Sequence, residues 1–102
     1  MQPLIEEKRS EIAALCRRFY VRRLEVFGSA AGDDFDPDRS DVDLLVEFEP
    51  DFPMAALDAY FGFKEAMETL LGRPVDLVMP SAIRNPFLRE SIDRSRALLY
   101  AA

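Results

Sequence analysis

Two aspartates sit in the run Ser40-Asp41-Val42-Asp43-Leu44-Leu45-Val46, among residues that favour strands. Acidic side chains are poor strand formers, and burying a charge is costly unless something pairs it. Residues i and i+2 of an extended chain face the same way, so Asp41 and Asp43 project together at about 6.6 Å. At an effective dielectric near 20, such a pair repels by roughly 2.5 kcal/mol. A divalent cation turns that penalty into attraction, so the pair reads as a metal site. A third aspartate, Asp76, stands in a second aliphatic run, Val75-Asp76-Leu77-Val78-Met79.

Hard cations such as Mg²⁺ choose oxygen ligands and share them with substrate phosphates. Two ions about 3.5–4 Å apart stabilise both the attacking and the leaving oxygen of an in-line displacement. Asp41, Asp43 and Asp76 suit that scheme and suit zinc poorly. The chain has no histidine, which removes Ser-His-Asp and Cys-His catalysis and histidine acid-base chemistry together. Gly28-Ser29 complements the carboxylates. Glycine lets a phosphate approach the backbone, while exposed N–H groups and the Ser29 hydroxyl can hold anionic oxygens. A calcium loop starting at Asp34 fails, because Arg39 stands where glycine is needed and Leu45 where glutamate is needed.

The elements that must position these residues follow from periodicity. A first helix is expected over residues 4–20, with an apolar stripe of Ile5, Ile12, Leu15, Cys16 and Phe19. A strand over 21–27 ends at Gly28, and the acidic segment 30–40 reads as a surface loop. A second strand, 41–48, turns Val42, Leu44, Val46 and Phe48 inward. A helix over 54–71 is stopped by Gly72 and Pro74. A third strand covers 75–79, and a last helix 82–95 is bent or delayed by Pro86. Residues 96–100 read as a short edge strand in preference to more helix. The fold class is α/β, one small mixed sheet with flanking helices, over a single domain spanning 1–102.

Composition narrows the function. With 49% hydrophobic and 31% charged residues, 102 residues make a globular chain. No apolar run is long enough to cross a bilayer, and the N-terminus turns charged too soon for a signal peptide, which points to the cytoplasm. A net charge of −6 argues against a protein that grips nucleic acid backbones. Cys16 reads as a small core residue. Tyr60, Phe61, Phe63, Met67, Leu70 and Leu71 make too broad a stripe for one helix to bury. The surplus, with Phe87 and Leu88 and flanked by Arg84 and Arg89, reads as an exposed patch for a partner.

Val26-Phe27-Gly28-Ser29-Ala30-Ala31, then 40–48, then Arg73-Pro74-Val75-Asp76-Leu77-Val78 resemble the minimal nucleotidyltransferases of the DNA polymerase β superfamily. The resemblance spans residues 4–100 and implies the small α/β nucleotidyltransferase core. It further implies an antitoxin of the HEPN/MNT type, which uses ATP and two Mg²⁺ ions to transfer AMP to a tyrosine of a HEPN ribonuclease partner. By that match Asp41 and Asp43 hold both ions, Asp76 binds the catalytic ion and helps deprotonate the attacking hydroxyl, and Gly28 and Ser29 hold the phosphates. Many relatives carry an arginine and a glycine soon after Gly-Ser, where this chain reads Ala30-Ala31-Gly32-Asp33-Asp34. That departure motivates a second reading: a weak or inactive nucleotidyltransferase fold that neutralises its partner by contact alone.

Overall fold

A computed structural model of the chain describes residues 2–32, 41–51 and 53–102. Four strands form one sheet: β1 (Val21–Phe27), β2 (Val42–Phe48), β3 (Val75–Val78) and β4 (Ala97–Ala101), in spatial order β3-β2-β1-β4. β1 runs antiparallel to β2 and to β4, whereas β2 and β3 are parallel. The expected mixed α/β sheet is therefore present, closed at one side by the terminal edge strand. Parallel neighbours need a long crossover, supplied here by α3 (Ala56–Leu71). Gly72 ends α3 in the left-handed conformation, φ 68°, and its N–H donates to the Glu68 carbonyl. β3 lies at the other edge of the sheet, four residues long and bracketed by Pro74 and Pro80.

Alternation splits the sheet into two unlike faces. Leu24, Val26, Val42, Leu44, Val46, Val75 and Leu77 point to one side, into a core with Ile12, Cys16, Phe63 and Met67. Phe63 is fully buried, with Phe19 and Phe48 edge-on at centroid distances of 6.2 and 6.4 Å. Burial pushes the Cys16 thiol up to about 12, so this cysteine is an inert core residue. The other face carries Phe27 and Leu45, which meet Ile92 of α4 (Pro86–Ser95) in a second, smaller cluster.

The first helix departs from expectation. It is broken into α1 (Pro3–Glu6) and α2 (Arg9–Arg18), separated by a tight turn in which the Lys8 N–H donates to the Ile5 carbonyl. A tether explains the break: the Gln2 N–H donates to the Ala30 carbonyl at 3.1 Å, and its side-chain amide donates to the Gly32 carbonyl. The first turn is thus tied beside the end of β1 instead of continuing the axis of α2. Pro86 delays the last helix as expected: Pro80–Ala82 form a short 3-10 turn, and α4 starts at Pro86 with the Asn85 side chain capping the Phe87 N–H. Most of the acidic loop lies outside the described residues; its start, Gly28–Ala31, is a 3-10 turn.

Candidate active site

The register of the sheet decides which carboxylates meet. Asp43 lies opposite Phe27 of β1 on one side and opposite Asp76 of β3 on the other. Neighbouring strands are about 4.8 Å apart, so paired residues share a face and their side chains stand close. The crossover is anchored at both ends of β3. The Val75 N–H donates to Glu68 Oε2 at 3.0 Å, and the Tyr60 hydroxyl donates to the Leu77 carbonyl at 2.6 Å. The Val42 N–H donates to the Pro74 carbonyl at 3.1 Å, which fixes the start of β2 against the start of β3. Asp41 falls just before β2 rather than inside it, and is exposed, as is Asp76; Asp43 is partly buried.

Burial holds the Asp43 carboxyl above the usual carboxylate range, and the charges of Asp76 and then Asp41 push it further. Asp43 therefore feels both of the other aspartates. Among the described residues no three His, Cys, Asp or Glu side chains are gathered closely enough to hold an ion by themselves. An open set of carboxylate oxygens fits Mg²⁺, which keeps waters and takes substrate phosphate oxygens to complete its shell. The donor chemistry and the mutual repulsion both favour a hard cation here.

Gly28 roofs this cluster. Its φ is +69°, a conformation costly for residues with a side chain, and a Cβ there would come within 2.6 Å of Asp43 Oδ2. The Gly28 N–H donates to Ser95 Oγ at 3.0 Å. Ser29 sits half-buried in the same 3-10 turn.

Two features escaped sequence reasoning. Glu25, between Leu24 and Val26, is the one buried charged side chain among the described residues. Arg96 meets it with two bonds of 2.7 Å, while Arg23 adds a third at 3.0 Å. These bonds, Arg96 foremost, hold the Glu25 carboxyl below the usual range and push the Arg96 guanidinium up. An acidic residue alternating with core aliphatics was the available signal. The second is a groove of about 820 Å³ at the far end of β2, lined by Phe48, Pro50, Leu57, Tyr60, Phe61 and Met79 among others. None of the five predicted site residues lines it, nor do Phe87 and Leu88. The expected apolar surplus thus does not gather in that one groove.

A mixed sheet with adjacent carboxylates on two parallel strands and a glycine turn above them is the architecture of a nucleotidyl-transfer domain. Residues 9–99 match the family described as nucleotidyltransferase domain, and the chain belongs to that family. The protein adenylyltransferase MntA of Thermococcus cleftensis is 42% identical over 71 residues, covering 70% of this chain and 68% of that protein. A solved structure of a candidate minimal nucleotidyltransferase is 36% identical, with TM-score 0.71, covering 90% of this chain and 89% of that one. A fold match at 18% identity and TM-score 0.64 comes from tri-AMPylated Shewanella oneidensis HEPN toxin in complex with MNT antitoxin; it covers 96% of this chain and 73% of that one. No helix among the described residues is long and apolar enough to cross a membrane.

Proposed function

We propose that the chain is an antitoxin that transfers AMP from ATP to a tyrosine of a HEPN-type ribonuclease and thereby silences it in the cytoplasm. The observation that carries this reading is the register pairing of Asp43 with Asp76 beneath the left-handed Gly28. Asp41, Asp43 and Asp76 would hold Mg²⁺, which when bound neutralises the triphosphate and stabilises the charge that builds during transfer. Asp76 would accept the proton of the incoming hydroxyl, a role its exposure at the sheet edge supports. The tyrosine oxygen bonds to the α-phosphorus, the bond to the β-phosphate oxygen breaks, and pyrophosphate leaves. Ser29 and the backbone of its turn would hold the phosphates, with Gly28 leaving them room. The partner supplies the acceptor hydroxyl to the open face of the sheet.

The test is intact mass spectrometry of the protein together with its co-purified partner, before and after ATP and Mg²⁺. The partner should gain whole AMP units, and the D41N/D43N variant should add none. That variant should also be more stable than wild type by about 1 kcal/mol, because it removes the repulsion among the carboxylates. A stable complex whose masses never change, starting from unmodified partner, would favour the contact-only antitoxin instead.

A further inference from the structure

Apart from Ile92 and the half-buried Ser95, α4 is exposed along its length, yet its end is bonded to the sheet at consecutive residues. Arg96 grips Glu25 of β1 and also Asp93 Oδ1 at 2.7 Å, while the Arg96 N–H closes on the Ile92 carbonyl. One residue earlier, Ser95 Oγ accepts the Gly28 N–H at 3.0 Å and donates to the Ser91 carbonyl at 3.3 Å. A hydroxyl has one proton and two lone pairs. With the proton committed to the turn behind it, the lone pairs are left to face Gly28. Gly28 in turn lies so close to Asp43 Oδ2 that no Cβ would fit between them.

We infer that Ser95 is a positioning residue: a latch from α4 that sets the height of the Gly28-Ser29 turn over the carboxylates, and so the room left for nucleotide phosphates. This rests on the proposed nucleotidyl transfer. The latch acts through Gly28 and does not touch the substrate. Its spacing is also consistent with what ends β1, since Gly28 directs its N–H to α4 just past the last paired position, Phe27–Asp43.

Wild type is compared with S95A and with the isosteric pair S95T and S95V, all checked for folding by thermal melting. NMR exchange of the Gly28 amide, without nucleotide, should accelerate about five- to tenfold in S95A and S95V and return to within about twofold of wild type in S95T. The Kd for AMP-PNP with Mg²⁺ should rise by about the same factor in the same two variants, and the KM for ATP should rise more than kcat falls. Unchanged Gly28 exchange in folded S95A and S95V overturns the latch, and so does faster exchange with unchanged nucleotide affinity. If wild type binds nucleotide but modifies no partner, the transferase reading fails, while exchange and Kd still decide the role of Ser95.

Discussion

The two faces of the sheet are built on opposite terms. One is sealed: α2 and α3 press Phe63, Met67 and Cys16 against Leu24, Val26, Leu44 and Val46, with no ionisable carboxylate among them. The other carries Glu25, Asp43 and Asp76 and is covered only in part, by a helix that buries Ile92 alone. Hydrophobic burial on the first face supplies the stability that lets the second tolerate like charges side by side. An open face leaves these carboxylates in reach of solvent, so their cost is offset on the opposite side.

The sharpest way to break this division is F63A. Removing a fully buried ring that two other aromatics pack against should cost about 3–5 kcal/mol, read as a lower urea midpoint, with the site residues untouched. A loss below about 1 kcal/mol would mean that the sealed face is not where stability lies.

E25Q probes a charge on the open face that is paired rather than repelled. Its partner Arg96 is about one-third exposed, so the loss should be about 2 kcal/mol, below the range for a fully buried pair. Its pH dependence has a definite sign. The folded-state pKa of Glu25 is depressed, so its contribution is complete above the unfolded carboxylate value and fades as pH falls through the folded one. Wild type should therefore lose stability on acidification below about pH 5, and E25Q should show a shallower decline in melting temperature over that range. Parallel curves would remove Glu25 from the account. The smallest effect belongs to F87S: Phe87 is 80% exposed, and its loss should change stability by less than about 0.5 kcal/mol in the isolated chain.

Much of this could be read from one sequence. Strands alternate with period two, and β1 and β2 were placed to within a residue of their bounds; Gly72 and Pro86 act as local punctuation whatever surrounds them. The meeting of Asp43 and Asp76 was also legible, since a helical crossover between strands favours parallel neighbours. What was hidden depends on contacts between distant residues. The break in the first helix comes from Gln2 reaching Ala30 and Gly32. The Glu25–Arg96 pair joins residues 71 apart, and it exists because β4 pairs with β1. Ser95, a serine at the end of a helix, carries no local sign of the glycine it holds.

The position of β3 has one more consequence. An edge strand offers unpaired N–H and C=O groups to any extended segment that drifts past, and is a standing invitation to aggregation. Here the offer spans four residues, and a proline stands at each end, unable to donate a ladder bond. An incoming strand would find too few bonds to take hold. The chain can thus leave Asp76 open to solvent at the rim of its sheet without also presenting a template for its own self-assembly.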